Sequence, residues 1–267
     1  MDTLVHPTPA FSPLLAAFRL DGRTALVTGA GAGIGAATAA ALAEAGAEVY
    51  LASRQPDGTE DVAQQIRTAG GRAHALPCDV TQSARVRELV AGLPSLDIVV
   101  NNAGTNIPQP FTEVSDEQLD FMSDLNVRAT FVVSQAAVQK MLEDPQRREK
   151  GGVVINMTSQ MGHIGSPGRT VYCMNKHAVE GLTKAMAIEL APQGIRVNSV
   201  APTFVDTPLI RRLIDTPEKH DFVLSRIPMG RMATVQDIAA AVLYLASPAA
   251  AMVTGTCLKV DGGWTAQ

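Results

Sequence analysis

The chain has 267 residues, 46% hydrophobic and 18% charged, an ordinary composition for a soluble globular protein. A net charge of -4 without a basic cluster argues against nucleic-acid or membrane-surface partners. No run approaches the roughly 20 apolar residues needed to span a bilayer. Cys78, Cys173 and Cys257 show neither close pairing nor metal-ligand spacing, so the sequence predicts no metal and a reducing, cytoplasmic compartment.

Residues 1–20 read as an N-terminal arm, with His6, Pro7, Pro9 and Pro13 before an apolar patch at residues 14–18. The arm lacks the basic start and long apolar segment of a signal peptide. Residues 21–267 carry no internal repeat or low-complexity linker and read as a single domain. A short apolar strand at residues 24–28 runs into Gly29-Ala-Gly-Ala-Gly33-Ile34-Gly35 and an alanine-rich helix closed by Gly46. Strand, glycine turn and helix together present free N–H groups and a positive helix end to a phosphate. The spacing is G-x-x-x-G-x-G, not the commoner G-x-G-x-x-G.

A second strand at residues 48–52 ends in Ser53-Arg54. No carboxylate stands where a dinucleotide fold holds the ribose 2′-OH, and the Arg54 guanidinium suits a 2′-phosphate. This favours NADP(H) over NAD(H), which stays possible; the alternative is a solvated loop arginine. A polar helix (57–69), a strand (73–76) and a charged helix ending near Leu93 follow. Between the last two, Asp79 and Val80 leave the carboxyl edge of the sheet. Asp79 either accepts the adenine amino group or caps the helix through Thr81.

The apolar strand 96–100 suits a parallel sheet buried on both faces, and it ends in Asn101-Asn102-Ala103-Gly104. Amides there can knit neighbouring strands, and Gly104 admits a cofactor close to the backbone. Ser115-x-x-Gln118 resembles a capping box opening a long helix with Asn126 inside it, disfavoured by propensity. Residues 144–152 read as an exposed excursion, and strand 153–157 delivers Ser159. After strand 195–200 an irregular stretch runs to Arg231, with one short helical segment at 209–214, as a lid or substrate loop would. Thr234 and Asp237 open a last helix, and strand 257–260 precedes Asp261-Gly-Gly-Trp264.

The chemistry concentrates between Ile155 and Lys176. Tyr172 and Lys176 lie four apart, on one face of a helix starting near Tyr172. An ammonium beside a phenol favours the phenolate, and a tyrosine so tuned exchanges a proton with an alcohol or ketone. Alone, Y-x-x-x-K is a weak signal.

Thr28-Gly29-x-x-x-Gly33-Ile34-Gly35, Asp79, Asn101-Asn102-Ala103-Gly104, Asn126, Ser159, Tyr172-x-x-x-Lys176 and Asp261-Gly262-Gly263 together resemble the short-chain dehydrogenase/reductase family. The match runs from about Leu20 to Trp264. The resemblance implies an α/β fold: a doubly wound, Rossmann-type parallel sheet of seven strands with helices on both faces, assembled as a homotetramer. It implies that Tyr172 is the general acid/base, that Lys176 lowers its pKa and binds the nicotinamide ribose, that Ser159 bonds the reacting oxygen, and that Asn126 holds a relay water. Gly29, Gly33, Ile34, Gly35, Ser53, Arg54, Asp79, Val80, Asn101, Ala103, Gly104, Pro202, Val205 and Thr207 would line the cofactor. One departure stands out: Pro202 is followed by Thr203 where the family usually has glycine.

The substrate side would be lined by Thr105, Asn106, Gln160, Met161, His163, Arg169 and Phe204. This mixed polar set suits a small hydroxylated substrate. The C-terminal Asp-Gly-Gly-Trp and the run Arg226 to Arg231 are similar to members acting on keto-deoxy sugar acids, gluconates and polyols. A substrate carboxylate would meet Arg169 or His163, unless Arg169 is solvated and His163 packs structurally. The alternatives are a 3-oxoacyl-[acyl-carrier-protein] reductase and, more remotely, a non-catalytic cofactor-binding protein.

Overall fold

The computed structural model describes residues 14–207, 210–211 and 214–267. Most of the expected arm, and part of the helical segment expected at 209–214, lie outside the described residues. The strands are β1 (Thr24–Thr28), β2 (Glu48–Ser53), β3 (Arg72–Pro77), β4 (Ile98–Asn101), β5 (Gly152–Met157), β6 (Ile195–Pro202) and β7 (Cys257–Val260). They form one sheet in the order β3-β2-β1-β4-β5-β6-β7, parallel throughout. The register sets Leu51, Val27, Val100, Ile155 and Asn198 side by side across five strands.

The helices are α1 (Gly33–Glu44), α2 (Pro56–Thr68), α3 (Ser83–Ala91), α4 (Asp116–Ser123), α5 (Ala129–Leu142), α6 (Arg147–Lys150), α7 (Thr170–Leu190), α8 (Pro217–Ser225) and α9 (Val235–Ala246). Successive strand residues point to opposite faces, so each strand feeds two cores. Val27, Val100 and Ile155 pack with residues of α1, α2 and α9. Leu26, Val99 and Val154 pack with residues of α3, α5 and α7. That two-sided burial is why β1, β4 and β5 read as continuous apolar runs.

The strand order reverses direction between β1 and β4, and the turns leaving these two strands diverge there. In open α/β sheets that divergence makes the ligand crevice.

The structure differs from the sequence reading in three elements. Residues 144–152 are not simply an exposed excursion. Arg147 is 4% exposed, and its guanidinium bonds Asp97 Oδ1 at 2.8 Å and the carbonyls of Met141, Leu96 and Gly151. Asp97 Oδ2 in turn accepts the Thr24 N–H at 2.9 Å. A charge-rich segment reads as solvated, but here loose ends of two strands supply enough acceptors to bury one guanidinium.

Next, α8 stands within the stretch read as irregular. Its signals are local: the Thr216 hydroxyl caps it by accepting the Lys219 N–H, and Pro217 holds the first helical position.

Last, the helix opened by Ser115 is not uniform. Ser115 accepts the Gln118 N–H as expected, but a π-turn at Asp124–Arg128 separates α4 from α5. The Thr234/Asp237 capping box on α9 forms as the sequence predicts.

Candidate active site

The glycine turn after β1 is dictated by its own backbone. Gly29 has φ +64°, and a β-carbon there would stand 2.9 Å from the Ala103 Cα. At Gly35 it would stand 2.3 Å from the Gly29 carbonyl oxygen, so helix α1 can start this close to β1 only with glycine. Gly33, at φ +57°, instead faces open space, with Thr207 its nearest neighbour at 3.7 Å.

Ala32 precedes α1 without a side-chain cap, and no acid occupies the first turn. The orphan N–H groups and positive helix end are therefore left for an anion at Gly33. This cradle fits the pyrophosphate of a dinucleotide.

Asn102, one of the two amides expected to knit neighbouring strands, clips the turn after β1 to the end of β4. Its Nδ2 donates to the carbonyls of Thr28 (3.0 Å) and Gly29 (3.1 Å). The Thr28 hydroxyl accepts the N–H groups of Asn102 and Ala103. Asn101 turns the other way. Its amide donates to Ser134 and to Asn156 on β5, both at 2.8 Å, and so knits the strands as expected. Asn101, Ala103, Val80 and Thr28 line one small crevice with residues of α5.

Of the other expected cofactor residues, Ile34 packs on the core and Ser53 lies beside Gly31. Arg54 is exposed and makes no ion pair among the described residues. Asp79 Oδ1 accepts both the N–H and the hydroxyl of Thr81 in a turn ahead of α3, whose own N-cap, Gln82, makes no side-chain cap. Pro202 ends β6, and Val205 bridges to Ala233, which carries the backbone from Pro202 to Thr207 across the crevice. The Thr203 hydroxyl is buried without a partner among the described residues.

Ser159, Asn126 and the Tyr172/Lys176 pair come from three places in the chain. Ser159 follows β5, and its hydroxyl donates to Gln160 Oε1 at 2.9 Å. It also favours ionisation of the Tyr172 phenol. Tyr172 and Lys176 share one face of α7, with the ammonium 5.5 Å from the ring centre.

The electrostatics depart from the expectation that Lys176 lowers the phenol. Burial pushes Tyr172 up to about 12, against the downward pull of Ser159 and Arg169. Burial also pulls Lys176 down to about 8, with Glu180 opposing. The ammonium is spent on the Met157 carbonyl at 2.8 Å. In the ligand-free protein desolvation therefore outweighs the neighbouring charge.

Asn126 lies in the π-turn and is 1% exposed. Its amide pairs on both sides with Thr105, accepting the N–H and donating to the carbonyl, each at 2.9 Å. A π-turn admits one extra residue, and such turns recur at functional sites. This accounts for an asparagine in mid-helix. Gly104 is fixed by the same contact, since a β-carbon there would stand 2.8 Å from Asn126 Oδ1.

On the substrate side, Gln160 and Met161 are buried. Phe204 stacks on Trp264 with ring centres 5.7 Å apart. Thr105 and Asn106 begin a loop that reaches the segment before α7 through the Gln109 N–H bond to Gly168. Arg169 is half-buried next to Tyr172, and burial lowers its pKa. Its Nη1 has no partner among the described residues.

His163 is engaged elsewhere: Nε2 lies 3.1 Å from Cys257 Sγ and 3.4 Å from Glu180 Oε1. Sequence spacing could not reveal this group, because its members sit on a loop, on α7 and on β7.

A switch-point crevice with an anion cradle at one end and a serine, tyrosine and lysine at the other defines a nucleotide-dependent dehydrogenase or reductase. The comparisons agree. The family model described as Enoyl-(Acyl carrier protein) reductase matches residues 29–265. L-xylulose reductase of Bos taurus is 39% identical, over 93% of this chain and 98% of its own. D-threitol dehydrogenase of Mycolicibacterium smegmatis is also 39% identical, over 93% and 95%. The crystal structure of a gluconate 5-dehydrogenase from Burkholderia cenocepacia J2315 in complex with NADP and tartrate is 35% identical, with TM-score 0.89, covering 95% of this chain and 99% of that one. The chain belongs to the short-chain dehydrogenase/reductase family. It is an NAD(P)-dependent oxidoreductase that interconverts an alcohol and a ketone.

Proposed function

We propose that this protein acts on a small polyhydroxylated substrate carrying a carboxylate, a sugar acid or its relatives, with NADP(H) preferred. The observation that carries this reading is Arg169. A half-buried guanidinium beside Tyr172, with one nitrogen lacking an acceptor, is costly unless an anion completes it. Names among the relatives support the polyhydroxylated part: L-xylulose, D-threitol and gluconate are the substrates those proteins are named for, and gluconate among them carries a carboxylate. Arg54 at the end of β2, exposed where a ribose carboxylate partner would otherwise stand, supports a 2′-phosphate.

In this reading the bound nicotinamide supplies or accepts the hydride. Tyr172 gives or takes the proton on the substrate oxygen, and Ser159 donates to that oxygen as negative charge builds. Lys176 holds the nicotinamide ribose and keeps a positive charge near the phenol. Asn126 orders the relay behind it through Thr105. Gly29, Gly33, Gly35 and the N-terminus of α1 hold the pyrophosphate, with Asp79 and Val80 toward the adenine. Exposed Phe131 on α5 and Met174 and Ile188 on α7 support assembly as a homotetramer through these helices. No described helix is long and apolar enough to cross a membrane, and the three free cysteines suit the cytoplasm.

The test is a panel of aldonates, sugars, polyols and 3-oxoacyl thioesters with both cofactors, on wild type and two variants. Tyr172→Phe is expected to lose turnover by orders of magnitude while keeping NADP affinity. Arg169→Ala is expected to raise KM for acidic substrates roughly 10- to 100-fold, as loss of a charged hydrogen bond does, and to spare neutral polyols. An unchanged KM for every acid would sink the carboxylate reading. Faster turnover of the thioesters than of any sugar derivative would replace it.

A further inference from the structure

His163, Glu180 and Cys257 have no part in the hydride chemistry above, yet three different elements converge to place them together. Their ligand atoms all lie within 4.8 Å of one another, the one such group of three among the described residues. A tetrahedral zinc ion with one nitrogen, one oxygen and one sulfur ligand sets those atoms roughly 3.4–3.6 Å apart. The two separations from His163 Nε2 are 3.1 Å to sulfur and 3.4 Å to the carboxylate, so closing on an ion needs only small shifts.

The carboxylate is already oriented. Thr158 Oγ1 donates to Glu180 Oε1 at 2.5 Å, and Ser199 Oγ donates to Oε2 at 2.8 Å. Hydroxyls fixing a ligating carboxylate are the outer-sphere support that metal sites use. The approach is open on one side, because the His163 side chain is 23% exposed while that of Glu180 is 6% exposed.

We propose that His163 Nε2, Glu180 Oε1 and Cys257 Sγ form a binding site for a borderline-soft divalent ion of the zinc class. Nitrogen, oxygen and thiolate sulfur are the ligand types such an ion takes, and three protein ligands leave a fourth position for water or an exogenous group. The ion clamps the turn after Ser159 onto α7 and β7. That turn has little slack: Gly162 sits so close that a β-carbon would stand 3.2 Å from the Lys176 carbonyl oxygen and 3.3 Å from Glu180 Cγ. Loading the site therefore tightens the backbone that carries Ser159 and Lys176 and raises thermal stability by mass action. The proposal is independent of the substrate reading.

The test uses full-length protein freed of metal with a chelator and titrated with Co²⁺, then with Zn²⁺ in competition. Wild type is expected to take up one equivalent and to show a thiolate-to-cobalt charge-transfer band that Zn²⁺ displaces. Cys257→Ser is expected to lose the band and the zinc-dependent rise in Tm while keeping turnover in metal-free buffer. Thr158→Val, which keeps all three ligands, is expected to bind about tenfold or more weakly. No stoichiometric uptake by wild type overturns the proposal. So does an unchanged charge-transfer band in Cys257→Ser, since Cys78 or Cys173 would then hold the ion.

Discussion

At the scale of single residues, the Tyr172/Lys176 pair is held in a state opposite to the one its spacing suggests. Spacing alone makes the ammonium the partner of the phenol. The fold instead buries the ammonium, half-buries the phenol and gives the ammonium a carbonyl, with consequences for stability. Lys176 falls from 10.5 to about 8, so between those values the unfolded chain binds more protons and stability rises with pH. Tyr172 rises from 10.0 to about 12, so across that higher window the folded chain binds more protons and stability falls with pH. Urea denaturation of the ligand-free protein should become harder from about pH 8 to 10 in wild type, and Lys176→Met should abolish that rise. Parallel pH profiles for the two proteins would contradict the assigned burial. Legibility at this scale divides by distance along the chain. Tyr172 and Lys176 are visible because they sit on one helix. Arg169 and His163 were both candidate anion partners, and only contacts across the fold separate them.

Among the elements, the junction of α4 and α5 carries most of what the sequence could not convey. Ser115-x-x-Gln118 announces a helix start through side-chain chemistry. A π-turn is a one-residue excess in the hydrogen-bond ladder and leaves no compositional signature, so propensity marks Asn126 as an anomaly and only the family resemblance gives it a relay role. Its two hydrogen bonds to Thr105 make a specific prediction. Asn126→Ala should strand both polar groups of a half-buried peptide, costing about 1–3 kcal/mol on denaturation. Turnover should fall further than NADP affinity does. Equal losses in both would assign Asn126 to the cofactor cradle instead. The α8 helix is the opposite case: Thr216-Pro217 is a readable start signal, masked in sequence by surrounding prolines that suggest a loop.

For the molecule as a whole, strand count, parallel direction and two-sided burial were legible, since continuous apolar runs alternating with helices leave few other arrangements. The Asp97–Arg147 pair was not, because a buried ion pair between segments fifty residues apart looks in sequence like two surface charges. It sits at the amino ends of β1, β4 and β5, the end of the sheet away from the crevice. Arg147→Ala would leave the Asp97 carboxylate short of its main partner. Breaking a buried pair from one side costs about 3–5 kcal/mol, and Arg23 at 3.5 Å offsets part of that. Chemical denaturation should register the loss while kcat per folded molecule stays at the wild-type value. A lowered kcat at full folding would show that the far end of the sheet communicates with the crevice.

The Asn102 clip has a mechanical consequence for all of this. Through it the dinucleotide turn at Gly29 is tied to the start of a strap whose next residues, Gly104 and Thr105, rest on Asn126 and approach Lys176. Nucleotide seat and proton wire are thus two ends of one short, stiff beam. Damage to the seat should misalign the wire even when saturating cofactor hides the weakened affinity.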